Sequence, residues 1–177
     1  MNRRLTEKVK ALLSKEKGAV LKKHEGRISV CLVYPNEYGV GMSSLGFQGI
    51  YKILNSRDDV VCERAFLPDD SDISEYVRTR MPVFSVETQR PLSDFDIVAF
   101  SISFENDYPN IAKILNISRI PLYVNRRNRY HPMLIAGGVC PSCNPEPVAP
   151  FFDAVFIGEA EESIHEFLDV YKQASKR

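Results

Sequence analysis

Leu134-Ile135-Ala136-Gly137-Gly138-Val139-Cys140-Pro141-Ser142-Cys143-Asn144-Pro145-Glu146-Pro147 is the stretch that decides how the chain reads. An apolar run stops at two glycines and gives way to a proline-rich loop holding two cysteines. A buried strand ends this way when it reaches the edge of a sheet and its backbone passes close to something else. Glycine has no Cβ, so it allows both unusual dihedrals and close approach.

Working outward, four more short apolar runs resemble it: 28–34, 60–67, 96–103 and 153–157, the last stopped by Gly158-Glu159. They are β-branched and apolar on both alternating positions, which suits strands of a parallel sheet covered on both faces. Helical periodicity separates them. Ser43 or Ser44 caps a helix over 45–56. Asp70 and Asp72 open another that Met81-Pro82 closes. Pro109 suits the first turn of a third, running to Ile117. A last helix covers 160–173, acidic at its start with Lys172 at its end. Residues 83–88 read as a short extra strand. Leu5, Val9, Leu12 and Leu13 give an amphipathic helix from 4 to about 22, stopped near Gly18. The expected architecture is a doubly wound α/β, flavodoxin-like or Rossmann-like fold. It has a parallel five-stranded sheet and an added N-terminal helix. Residues 1–24 form the N-terminal helix and linker, and residues 25–177 the domain.

Composition narrows the function. The chain of 177 residues is 44% apolar and 26% charged with zero formal net charge. That balance gives no global attraction to nucleic acid or to an anionic membrane. No apolar run approaches the roughly 20 residues that span a bilayer. The basic Met1-Asn2-Arg3-Arg4 is not followed by the apolar core of a secretory signal. Four cysteines are too few for a disulfide scaffold, so a reduced, cytoplasmic protein is expected.

In this architecture ligands bind outside the carboxyl ends of the strands, at the switch in strand order. That directs attention to the loops 35–46, 103–108, 137–147 and 158–160. Gly39, Gly41 and Gly46 have the wrong spacing for either phosphate-binding glycine motif, and no Lys is placed to reach a phosphate. Cys140-x-x-Cys143 invites a redox or metal reading. The prolines at 145, 147 and 150 argue against the helix start that lowers a reactive thiol's pKa, and a zinc site needs four ligands. Glu37, Glu105, Asp107, Glu146 and Glu159 all fall on the candidate edge and read as solvated carboxylates. The run Asn125-Arg126-Arg127-Asn128-Arg129 reads as a solvated loop, with a phosphate or partner contact as the alternative.

Four groups of residues together resemble a known family. They are Tyr34-Pro35-Asn36 with Gly41-Met42-Ser43-Ser44-Leu45-Gly46, then Asp96–Ser101, the glycine-pair stretch through Pro147, and Asp153–Glu161. They are similar to the N-terminal cobalamin-binding-type domain of an uncharacterised subgroup of radical S-adenosylmethionine proteins, over about 28–165. The resemblance implies a corrin ring lying on the carboxyl edge of the sheet. Asn36, Glu37, Tyr38, Gly41, Ser43 and Ser44 would border its lower face. Ser101 and Ser103 would match the family's serine motif. Gly137 and Gly138 would lie by the nucleotide tail, with Gly158 and Glu159 beside it. The cobalt-ligating D-x-H-x-x-G motif of mutase-type domains is absent, so cobalamin would be held without a protein imidazole. The C-x-x-x-C-x-x-C that binds the [4Fe–4S] cluster is also absent. The cluster and S-adenosylmethionine would therefore belong to a catalytic domain, in cis or in trans, and this chain would carry no catalytic or metal-ligating residue of its own. The expected function is to position a corrinoid against that domain. A non-binding structural relative and an independent Cys-x-x-Cys redox or metal module are the alternatives.

Overall fold

Alternation within each apolar run sends side chains to opposite faces, and both faces find cover. The computed structural model of the protein describes residues 2–161 and 163–175. Its strands are β1 (Ile28–Tyr34), β2 (Val60–Phe66), β3 (Ile97–Ser101), β4 (Met133–Gly137) and β5 (Ala154–Val155), paired in parallel in the order β2-β1-β3-β4-β5. The helices are α1 (Arg3–Leu13), α2 (Tyr38–Ser43), α3 (Leu45–Ser56), α4 (Asp70–Thr79), α5 (Tyr108–Ile117), α6 (Val139–Cys143) and α7 (Ser163–Ser175). From β1, Val30, Leu32 and Tyr34 pack toward Phe47 and Leu54 of α3 and Leu168 of α7. Cys31 and Val33 pack with Ile111 and Ile114 of α5 on the other face. This is the doubly wound α/β arrangement, with the order of connection switching between β1 and β3.

Both sheet edges are short or covered, as exposed edges demand. β5 has only two residues. Along β2, Asn55 Nδ2 donates to Cys62 O at 2.9 Å, and Cys62 N donates to Asn55 Oδ1 at 3.1 Å. Arg64 N donates to the Glu87 carboxylate at 2.8 Å, and Val86 N to Arg64 O at 2.7 Å. Residues 83–88 therefore cover the edge without forming the expected strand. Their one ladder contact is the isolated antiparallel bridge between Phe84 and Pro91. Gln89, at φ 56°, bends the segment away, and Glu87 serves β2 with its side chain in place of its backbone.

The first helix is shorter than its expected 4–22. Asn2 Oδ1 caps it by accepting from Arg4 N and Leu5 N. It ends at Leu13, where the apolar spacing stops, and Gly18 at φ 90° turns the chain into an extended segment. That segment is tied down. Val20 N donates to Tyr51 Oη at 2.9 Å, and Lys22 Nζ donates to the carbonyls of Asn55 and Arg57 at 2.6 and 2.8 Å. Leu5 buries itself against Tyr76, Met81 and Phe84.

A helix also forms where prolines argued against one. α6 begins directly after Gly138 and contains Pro141. Pro141 lies in the first turn, where backbone N–H groups have no intrahelical acceptor to lose. Pro145 and Pro147 fall beyond the helix end.

Candidate functional site: a cleft at the carboxyl edge

Period-two alternation puts Ala99, Ser101 and Ser103 in one line, and Ile135 and Gly137 in the next. The register pairs Leu32 with Ala99, Ala99 with Ile135, and Ser101 with Gly137. Small residues thus occupy the centre of this face, and the sheet surface sinks there. Ile50 of α3 and Ile164 of α7 wall the depression. The result is a cleft of about 540 Å³ running from the strand ends down onto the sheet, with Phe156, Ala160 and Glu161 along one side.

Seven of the expected residues line it: Ser44, Ser101, Ser103, Gly137, Gly138, Gly158 and Glu159. Five do not. Asn36 donates through Nδ2 to Asp107 Oδ1 at 2.8 Å and ties the loop after β1 to the loop after β3. Glu37 precedes α2 and gives its backbone N–H to Asn36 Oδ1 at 2.8 Å. Tyr38 donates to the Glu16 carboxylate at 2.7 Å, and burial followed by that carboxylate pushes its phenol up to about 12. At Gly41 a Cβ would stand 2.5 Å from the Phe66 ring, so this glycine serves close packing of α2 on β2. Ser43 returns its hydroxyl to Val40 O at 2.6 Å.

The rim is polar but uncharged except for acids. The hydroxyls of Ser101 and Ser103 make no hydrogen bond with any described residue, and both are partly exposed. Ser142, which sequence reasoning passed over, stitches the two glycine-terminated loops together. Its hydroxyl donates to Gly138 O at 2.8 Å and accepts from Gly158 N at 3.0 Å. Glu159 and Glu161 are exposed at the mouth. Among the described residues no Lys, Arg or His lines the cleft. The arrangement suits a flat, apolar-faced ligand with polar edges.

Val139 of the lining is exposed, as are Leu45, Phe104 and Ile157, which neighbour the lining residues Ser44, Ser103 and Gly158 in sequence, Leu45 by 83%. Of the expected solvated carboxylates, Asp107 is the exception. It is only 3% exposed, its Oδ2 has no partner, and burial pushes its carboxyl up. Cys140 is buried and Cys143 exposed. Burial and then the neighbouring Glu105 raise the Cys140 thiol, the reverse of what a reactive thiolate needs. Among the described residues no group of three or more His, Cys, Asp or Glu is arranged to hold a metal ion. No described helix is long and apolar enough to cross a membrane.

Fold and cleft together define an open-sheet, doubly wound α/β domain with a cleft at the carboxyl ends of its strands. The profile of the family described as "Radical SAM proteins, N-terminal" matches residues 46–177, and the chain belongs to that family. It is also 27% identical over 135 residues to an uncharacterized protein of Methanocaldococcus jannaschii, an alignment covering 76% of this chain and 24% of that protein. The chain thus spans about a quarter of the length of the curated relative it matches.

Proposed function

We propose that this chain is a corrinoid-holding module that works against a radical S-adenosylmethionine catalytic domain. The cleft carries the reading. An apolar floor at Leu32, Ala99 and Ile135 suits a flat heterocycle, and the unpartnered hydroxyls of Ser101 and Ser103 suit its polar edge. With no imidazole in the lining, shape and hydrogen bonds would hold the group, and the chain would offer cobalt no histidine. A bound corrinoid would supply a cobalt centre for methyl or radical transfer. The residues here would orient it, keep water from its buried face and leave its outer face open. Exposed Val139 in the lining, and exposed Leu45, Phe104 and Ile157 next to lining residues in sequence, support docking of a second domain on this edge, since apolar side chains left exposed mark interaction surfaces. The iron–sulfur cluster would belong to that domain, because Cys31 and Cys62 are buried in strands and only Cys140 and Cys143 remain.

The test is direct. The purified protein is incubated with hydroxocobalamin, desalted and examined by visible spectroscopy. A coloured protein fraction is expected at micromolar concentration. A colourless one overturns tight corrinoid binding and favours a structural role for the same edge.

A further inference from the structure

The segment joining α5 to β4 stands at the amino edge of the sheet, away from the cleft. From Tyr123 to Tyr130 it holds Arg126, Arg127 and Arg129 and no acidic residue. The arginines divide into one that braces and two that face out.

Arg127 is turned inward. Its Nη1 donates to Pro121 O and Leu122 O, both at 3.0 Å. Its Nη2 donates to Phe151 O at 2.9 Å and to the Asp153 carboxylate at 3.0 Å. Asn128 Oδ1 accepts from Tyr130 N at 3.0 Å and closes the turn. A plain connector has no need of a buried guanidinium holding three carbonyls. This one ties the backbone of the loop to residues 121, 122 and 151.

Those groups are Arg126, Arg129, Tyr123 and Tyr130. Tyr130 is 76% exposed. Arg129 lies over its ring at 5.0 Å from the centroid and donates to its hydroxyl at 2.9 Å. Neither Arg126 nor Arg129 joins a salt bridge with any described residue. Lys113 and Arg119, both exposed, line a groove along α5 with Pro121 and Leu122 at the start of this segment, Arg119 also donating to Arg80 O at 3.0 Å, while Asp96 and Asp153 share the groove beside Arg129.

We propose that this amino edge binds single-stranded RNA. Phosphates would meet Arg126, Arg129, Lys113 and Arg119, and a base would stack on Tyr130 beside its arginine. Basic side chains interleaved with exposed aromatic rings are the chemistry of single-strand recognition. An acidic peptide would use the charges but not the ring. A bilayer surface would use neither the ring's face nor its fixed orientation. Because the whole chain has zero formal net charge, attraction would have to come from a local patch, and the variants below test whether it is this one.

Fluorescence anisotropy with a labelled single-stranded RNA of about 12 nucleotides tests it. Binding should weaken with salt, by about 0.7 in log–log slope per phosphate contacted. The double variant Arg126→Glu, Arg129→Glu should lower affinity by about tenfold or more. Tyr130→Ala should lower it by about fivefold or more, and Tyr130→Phe should retain it. All three substituted side chains are exposed, and circular dichroism checks that the variants stay folded. Absence of binding at low salt overturns the proposal. So does affinity indifferent to Tyr130→Ala, or an equal effect of the same variants on heparin or phosphatidylserine vesicles, which would mark a general polyanion surface.

Discussion

Gly138 and Ile102 meet backbone to backbone. A Cβ at Gly138 would stand 2.9 Å from Ile102 N and closer still to its carbonyl oxygen. That carbonyl accepts from Cys140 N at 3.4 Å, and Ile102 N donates to Gly137 O at 2.8 Å. The second glycine of the pair is thus demanded by the neighbouring strand end, whatever occupies the cleft.

Gly138→Ala is therefore expected to destabilise the fold. Its φ of 114° alone costs an L residue about 1–3 kcal/mol, and the clash is with backbone, which cannot rotate away. Gly158, at φ 86° with open space around it, pays only the first cost in Gly158→Ala. At this size each kcal/mol is worth about 2–4 °C in Tm. Thermal unfolding should rank Gly138→Ala below Gly158→Ala, and the reverse order would refute the close-approach account.

The thiols give a second expectation. Cys31, Cys62 and Cys140 are buried and their thiols raised by burial, whereas Cys143 is exposed. Native protein should react with Ellman's reagent at Cys143 alone, and Cys143→Ser should abolish the reaction. A fast second equivalent lost in Cys140→Ser would revive the redox reading of the pair.

The sheet, the longer helices and the edge that holds the cleft were legible because each rests on local pattern. The five apolar runs name the strands, and the alternation Ala99, Ser101, Ser103 already contains the cleft's floor and rim. What was not legible depends on partners distant in sequence. Nothing around Gly138 reveals Ile102, and nothing around Asp107 reveals that Asn36 and Asn110 will bury it. Ser142 reads as a loop serine until Gly158 N appears beside it. Residues 83–88 looked like a strand because apolar alternation records burial, and covering an edge buries side chains without a continuous ladder.

Glu87 is a case of that cover carrying energy. Its carboxylate meets Arg64 Nε at 2.7 Å with both side chains almost wholly buried, while Arg64 also reaches Glu16 at 2.7 Å and lies 4.5 Å over the Tyr51 ring. Removing Glu87 leaves the buried Arg64 with Glu16 as its carboxylate, so Glu87→Leu should cost up to about 3–5 kcal/mol in urea unfolding. The double variant Arg64→Met, Glu87→Leu should recover most of that. A strictly additive cycle would mean the two groups are not coupled.

Ala99 offers a test of the cleft apart from the fold. It sits between Leu32 and Ile135 in the same rung, and its small side chain leaves the depression open. Ala99→Leu fills that space from within. Hydroxocobalamin retention after desalting should fall by about tenfold or more, which is about 1.4 kcal/mol of binding, with Tm nearly unchanged. Retention equal to that of the parent protein would place the ligand elsewhere.

Asp107 predicts a pH dependence of unusual sign. Burial raises its carboxyl above the ordinary 3.8, against the hydrogen bonds from Asn36 and Asn110 that lower it. The folded state therefore holds this proton more tightly than the unfolded chain. Between the unfolded and folded values the folded state binds more protons, so this group's contribution to stability is lost as pH rises through that window. Above it the charged carboxylate, with Oδ2 unpartnered, remains as a constant penalty. Asp107→Asn keeps an acceptor for Asn36 and removes the charge. It should raise the urea midpoint at pH 7, and the gain should shrink as pH falls through that window and vanish well below the ordinary carboxylate value, where the wild-type carboxyl is neutral in both states. A gain independent of pH would show that the charge is not the cause, and a loss at pH 7 would show that Oδ2 has a partner worth more than its burial costs.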